Sequence, residues 1–155
     1  MAENPDYKEL LQLLTEFDVR YLIVGGYAIM KYAEPHYTKD LEIWIENSAE
    51  NSLHLFEVLK RFGAPLESDK ITPATFTQSD LTYQIGIAPV RIDILTRITN
   101  VQFPDAWEKR VSGTMFSVPV HFLSLDDLIT NKQATGRSSD LEQLRKIPQK
   151  EKSDQ

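Results

Sequence analysis

The sequence contains no cysteine and no long apolar run, and these absences exclude several classes of protein. Without cysteine the chain has no disulfide. No segment approaches the roughly 20 consecutive apolar residues that a membrane-spanning helix requires. The first residues, MAENPDYKEL, lack the basic start and the apolar stretch of a signal peptide. We therefore expect a cytoplasmic protein with no membrane partner.

Positive charge is also scarce, and this argues against one kind of nucleic-acid binding. The 155 residues include 17 lysines and arginines against 23 aspartates and glutamates, which gives a net charge of −6. Non-specific binding along duplex DNA depends on neutralising many phosphates with basic side chains. We expect no such binding here, although a local basic patch could still hold RNA.

The length and the pattern of the chain predict one domain. A chain of this length is enough for one compact core, and neither an internal repeat nor a linker divides it. The last residues are polar and charged, as is typical of a frayed terminus. We expect a single domain over residues 1–148 and a flexible tail over residues 149–155.

Capping residues predict where several helices begin and end. Asn4 followed by Pro5 is typical of a helix start, and Ser48 and Ser124 can each cap a later helix. Gly63 follows the second of these helices, where a left-handed residue often ends a helix.

Two carboxylates stand on a predicted strand that is otherwise apolar. The chain runs from a buried strand over residues 21–24 through a Gly-Gly turn and a short helix into a second strand over residues 41–45. Asp40 and Glu42 are two positions apart, so on a strand they project from the same face. Asp93, on a later strand, could supply a third carboxylate. Such a set can bind Mg²⁺ together with water and phosphates, although solvated charge on one face of an antiparallel sheet explains the pair alone.

The glycine turn upstream, Gly25-Gly26, adds a second feature. Glycine lets the backbone approach a phosphate closely, and the helix that follows presents free N–H groups at its positive end. A tight turn that needs a positive φ explains two glycines alone, so only the combination with the carboxylates indicates a nucleoside triphosphate. The chain lacks G-x-G-x-x-G and G-x-x-x-x-G-K-[ST], which argues against a dinucleotide domain and a P-loop.

The segments IVGGYAIMKY, HYTKDLEIWI and VRIDIL together resemble the pattern of the DNA polymerase β-type nucleotidyltransferase superfamily. That pattern is an apolar strand ending in Gly-[Gly/Ser], then [Asp/Glu]-x-[Asp/Glu] on the next strand, then a later Asp. More narrowly, GGYAIMKYAEPHYTKDLEI with LSLDDLITNKQATGRSSDLEQL resembles the small bacterial nucleotidyltransferases related to abortive-infection toxin enzymes. The resemblance implies an α+β fold, with a small mixed sheet, helices packed mainly on one side, and an active site at the edge of the sheet.

The resemblance also implies a reaction, the transfer of a nucleoside monophosphate from a triphosphate to an acceptor hydroxyl. Asp40 and Glu42 would hold two Mg²⁺ or Mn²⁺ ions that clamp the triphosphate. Asp93 would bind the catalytic metal and help to activate the acceptor hydroxyl. Gly25 and Gly26 would hold phosphate oxygens.

A later segment, TNKQATGRSSD, would complete the site by the same resemblance. Lys132 and Arg137 would meet the triphosphate or the acceptor, and Asp140 would orient one of them through a charge-assisted hydrogen bond. Thr38 could form a hydrogen bond near the phosphates. A helix end, a glycine stop and a serine-capped restart would account for most of this segment without any nucleotide.

Two residues depart from the family pattern and keep an alternative open. Relatives commonly carry Arg where this chain has His36, and Asp where it has Glu42. The extra methylene of Glu42 moves the carboxylate by about 1 Å or more, and two-metal geometry is sensitive to such a shift. The alternative is a binding or regulatory module, such as a toxin or antitoxin partner, with weak or no catalysis. The acceptor could be a protein hydroxyl, an RNA 3′ end or a small molecule.

Overall fold

The computed structural model describes residues 4–33, 40–87 and 90–145, which carry six α-helices and six β-strands. His36 and Thr38 lie outside these residues. A short 3₁₀ helix spans Thr75–Thr77. In chain order the elements are α1 (Pro5–Glu16), β1 (Tyr21–Val24), α2 (Gly25–Tyr32), β2 (Asp40–Ile45), α3 (Ala49–Phe62), β3 (Thr82–Ile85), β4 (Arg91–Leu95), α4 (Phe103–Glu108), β5 (Val111–Met115), β6 (Val118–Phe122), α5 (Leu125–Thr135) and α6 (Ser138–Arg145).

The predicted caps start and end the helices as the sequence indicates. The Asn4 side chain accepts hydrogen bonds from two backbone N–H groups in the first turn of α1. Ser48 and Ser124 accept one such bond each at the starts of α3 and α5. Gly63 ends α3 with a φ of +92°. These local signals were sufficient because each depends only on residues within one turn of the helix end.

All six strands form one mixed sheet in the order β3-β4-β2-β1-β6-β5. Strand β2 is parallel to β4, and β1 is parallel to β6, whereas the other neighbouring pairs are antiparallel. Strands from the first half of the chain therefore meet strands from the second half at two places, where β2 pairs with β4 and where β1 pairs with β6. The mixed sheet confirms the predicted α+β fold class.

Apolar side chains cover both faces of the sheet, because buried strands alternate their side chains between the two faces. Tyr21 and Ile23 of β1 join the cluster that includes side chains from α1 and α3, the two longest helices. Leu22 and Val24 join a second cluster with side chains from α2, α4 and α5. The second face is thus also covered, which the expectation of helices mainly on one side did not include.

The carboxylates of β2 lie on this second face. Leu41, Ile43 and Ile45 belong to the first cluster, so Asp40 and Glu42 share the other face with Trp44. That face is packed against helices at Trp44, which contacts Phe103 with 5.1 Å between ring centroids. No helix in the described ranges is long and apolar enough to cross a membrane.

Candidate active site

Parallel pairing of β2 with β4 brings the three predicted carboxylates onto adjoining positions. In the register of these strands Glu42 is opposite Asp93, and Asp40 is opposite Arg91. Paired residues on neighbouring strands project from the same face of a sheet. The result is a block of three acids and one arginine, in which Asp93 is only 7% exposed.

A single atom of Arg91 joins two of these carboxylates. Its Nη2 lies 2.8 Å from Asp40 Oδ2 and 3.1 Å from Asp93 Oδ2. The hydrogen bond to Asp93 is the largest cause of a raised pKa for Arg91, and the negative charges of Asp93, Asp40 and Glu42 add to it. The carboxylates of Asp40 and Asp93 thus converge, and in this structure they converge on a guanidinium.

Glu42 points toward the start of α2. Gly25 has a φ of +68°, and a Cβ added to it would overlap the Glu42 carboxylate. The absence of a side chain at Gly25 therefore leaves the room that Glu42 occupies. Gly25 and Gly26 are both buried in the first turn of α2, so the predicted Gly-Gly turn is the beginning of the helix itself.

Burial and nearby charges act on Glu42 in opposite directions. Burial raises the pKa of Glu42, and the positive charge of Lys132 acts against that rise. Smaller contributions come from Asp93 and Asp40, which raise this pKa, and from Arg91, which lowers it. Two cations, Lys132 and Arg91, and two carboxylates, Asp40 and Asp93, therefore act on Glu42 in opposite directions.

Helix α5 brings one residue of the segment TNKQATGRSSD, Lys132, close to these carboxylates. Lys132 lies in the last turn of α5 and is only 8% exposed, and its charge acts on Glu42. Gly136 ends α5 with a φ of +63°. Arg137 is exposed between α5 and α6, and Asp140 lies in α6, where only its backbone is described. The nucleotide-binding roles of Lys132, Arg137 and Asp140 remain predictions.

One carboxylate oxygen of the block is left open. Asp93 Oδ1 is buried and has no hydrogen-bond partner within the described part of the chain. A buried acceptor without a donor is costly, which favours a site that receives a proton donor or a cation from a ligand. Asp93 thus pairs with Arg91 through Oδ2, and its Oδ1 is available to accept a bond from a ligand.

Arg91 and two tyrosines near the block were not among the site residues predicted from the sequence. The Tyr7 hydroxyl donates a hydrogen bond of 3.0 Å to the backbone oxygen of Arg91. Burial raises the pKa of Tyr27, and the charge of Asp40 raises it further. The sequence did contain a signal for Arg91, because R-x-D on a strand places Arg91 and Asp93 on one face.

The chemistry of the donor set fits a divalent cation. Carboxylate oxygens are the ligands that Mg²⁺ prefers, Asp93 Oδ1 is an unused buried acceptor, and Asp40 and Asp93 already hold a positive group between them. Within residues 4–33, 40–87 and 90–145, no three acids or histidines are arranged to hold a metal as they stand. The side chains would therefore have to rearrange around an ion.

Comparisons with known proteins agree with the fold. A family model described as a nucleotidyltransferase of unknown function, DUF6036, matches residues 7–148. A solved structure described as a "putative nucleotidyltransferase" from Thermotoga maritima is similar, with a TM-score of 0.60 and 13% sequence identity over 94% of each chain. At that identity the likeness supports the fold alone. No curated protein matches the chain.

Proposed function

Because this chain belongs to the DUF6036 family of nucleotidyltransferases, we propose that it is a metal-dependent enzyme that moves a nucleoside monophosphate from a nucleoside triphosphate to an acceptor hydroxyl. One observation carries the proposal: the β2–β4 register sets Asp40, Glu42 and Asp93 side by side on one face. Arg91 and Lys132 bring two positive charges to three acids on a face that is otherwise packed against helices, which favours a further cation there. The metal ion of a metal–triphosphate complex would supply that cation.

The reaction would join the acceptor oxygen to the α-phosphorus and break the bond between the α-phosphorus and the bridging oxygen, releasing pyrophosphate. Asp93 would accept or orient the hydroxyl proton of the acceptor through its open Oδ1. Asp40 and Glu42 would hold Mg²⁺ or Mn²⁺ together with Asp93. When bound, the metal supplies charge stabilisation for the triphosphate and lowers the pKa of the attacking hydroxyl.

The triphosphate would lie against the start of α2 and the end of α5. The first N–H groups of α2, at Gly25 and Gly26, are suited to phosphate oxygens because a helix start carries a partial positive charge. Lys132 would contribute positive charge next to Glu42. Arg137 would contact the phosphates or the acceptor, Asp140 would orient one of these cations, and Thr38 would add a hydrogen bond.

A binding module without turnover is the second candidate, and the arginine favours it. Arg91 closes the gap between Asp40 and Asp93, and Glu42 packs against Gly25. A site fixed in this arrangement would hold a nucleotide without forming a metal centre. Such a module could serve as a partner in a toxin–antitoxin pair, as the resemblance of the late segment to toxin-related relatives suggests.

A transfer experiment separates the two candidates. The protein is incubated with Mg²⁺ or Mn²⁺, α-labelled triphosphates and three acceptor pools: proteins, RNA and small molecules. We expect a labelled acceptor and stoichiometric pyrophosphate, both lost in Asp93→Asn and retained in Asp80→Asn, a control at an exposed loop position. A pure binder would show nucleotide-dependent thermal stabilisation but no product. Turnover that survives Asp93→Asn would refute the assigned role.

A further inference from the structure

Arg91 stands between two of the acids that the proposed reaction needs. Its Nη2 contacts the Oδ2 atoms of both Asp40 and Asp93. These two oxygens therefore cannot be farther apart than the sum of two hydrogen-bond lengths. A small cation and the Nη2 group would compete for the same space and the same lone pairs.

The fold holds the backbone of Arg91 more firmly than its side chain. Arg91 is paired with Asp40 in the β2–β4 register, and its carbonyl oxygen accepts the hydrogen bond from Tyr7. The side chain, by contrast, is 33% exposed. Its Nε is buried with no partner among the described residues, so one end of the guanidinium carries the described ion pairs. A partly exposed ion pair is modest in strength, because water screens it.

The geometry points to Arg91 as a built-in competitor of the divalent cation. In the absence of metal its guanidinium pairs with both Asp40 and Asp93, and a metal ion binds these oxygens only when the guanidinium has turned away. This inference rests on the proposed function, since it concerns the same carboxylates. It adds a residue that the family resemblance did not assign and a reason why three acids can pack together without metal.

The exchange has a consequence for nucleotide binding. A triphosphate carries several negative charges, so a metal–triphosphate complex brings a cation for Asp40 and Asp93 and phosphates for the displaced guanidinium. The backbone of Arg91 remains fixed on β4 during this exchange. The Arg91 side chain can therefore still reach the metal–triphosphate complex that displaces it.

Metal affinity without turnover tests the competition. Binding of Mn²⁺ is measured from the loss of the free-ion electron paramagnetic resonance signal, in the wild type, in Arg91→Gln and in Arg20→Gln. Arg20 is the matched control: it pairs with Glu46 beyond the other end of β2, about 20 Å from Asp40 along the strand. We expect Arg91→Gln to bind Mn²⁺ at least about tenfold more tightly, because a competing charge within a few ångströms is gone, and Arg20→Gln to bind as the wild type does.

The wild-type protein provides a second measurement that does not depend on the folding of a variant. Arginine side chains are labelled with ¹⁵N, and the Arg91 Nε signal is followed while Mg²⁺ is added. Displacement predicts that this signal moves and sharpens in proportion to bound metal, whereas the Arg20 signal stays in place. If metal binds while the Arg91 signal is unchanged, a tighter Arg91→Gln variant reflects long-range charge alone, and the competition is refuted.

The remaining outcomes separate this inference from the proposed function. Equal or weaker Mn²⁺ binding by folded Arg91→Gln overturns the competition but leaves a metal site. No Mn²⁺ binding by either protein, with or without a triphosphate, overturns both the competition and the metal dependence of the proposed reaction.

Discussion

Two features of the structure require glycine at position 25: its backbone conformation and the nearby Glu42 side chain. Its φ of +68° already disfavours any other residue, and its missing Cβ leaves space for the Glu42 carboxylate. Both constraints come from the fold of this chain, independently of any phosphate. The glycine therefore has a structural role in addition to the phosphate-binding role proposed for it.

This double constraint gives a quantitative prediction for Gly25→Ala. We expect the free energy of unfolding, measured by urea denaturation, to fall by about 2–4 kcal/mol, because backbone strain adds to the overlap with Glu42. Gly63→Ala is the matched control, since Gly63 has a φ of +92° but open space around its Cβ. It should lose only about 1 kcal/mol. An equal loss of unfolding free energy in the two variants would show that the added Cβ at position 25 does not clash with Glu42.

At the scale of elements, Asn51 fastens α3 to the ends of two strands. Its side chain accepts a hydrogen bond from the backbone N–H of Arg20 at 2.8 Å and donates to the carbonyl oxygens of Arg20 and Glu46. The residue is only 3% exposed. These bonds fix the far ends of β1 and β2 and so help to set the strands on which the candidate site lies.

Loss of the three Asn51 hydrogen bonds should lower the stability of the protein. We expect Asn51→Ala to lower the free energy of unfolding by about 2–3 kcal/mol, since three backbone groups lose a partner near the core. Asn47→Ala is the control: Asn47 is exposed and makes one described side-chain hydrogen bond, of 3.4 Å. It should change stability by no more than about 0.5 kcal/mol. A loss in Asn51→Ala no larger than in the control would contradict the role of Asn51.

Elements that depend on local chemistry could be predicted from the sequence, whereas their pairing could not. Asn4, Ser48 and Ser124 mark helix starts because a cap involves neighbours in the chain. The parallel pairing of β2 with β4 joins residues about 50 positions apart in sequence, and no short-range pattern specifies it. The sequence therefore placed Asp40 and Glu42 on one face but could only suggest that Asp93 joined them.

The contact of Arg91 with both Asp40 and Asp93 could not be predicted either, because it also depends on strand pairing. The R-x-D spacing sets Arg91 beside Asp93, but its contact with Asp40 requires the register of β2 against β4. The Gly-Gly pair was placed between the correct strand and helix, yet it begins α2 where a separate turn was expected. In this chain Gly25 has a φ of +68° although it begins a helix, so the glycine pair that predicts a tight turn is also what this helix start requires.

In the whole molecule, one sheet joins both halves of the chain and brings basic side chains close to the carboxylates of the candidate site. We propose that residues 1–148 fold as a single domain, because β1 from the first half pairs with β6 from the second. The chain carries a net charge of −6, yet Arg91 and Lys132 both act on the carboxylate block. We propose that these two positive charges allow an acidic molecule to bind an anionic triphosphate at this site.

We propose that Asp40, Glu42 and Asp93 form one site at which a metal ion and a triphosphate bind together. The most direct test is the position of Mn²⁺, located by anomalous X-ray scattering in crystals that contain Mn²⁺ and a non-hydrolysable triphosphate. We predict Mn²⁺ at coordinating distance, about 2.1 Å, from oxygens of Asp40 and Asp93, with Arg91 turned away and the phosphates at the start of α2. Metal and triphosphate bound elsewhere, with Arg91 still joining Asp40 to Asp93, would refute this assignment of the site.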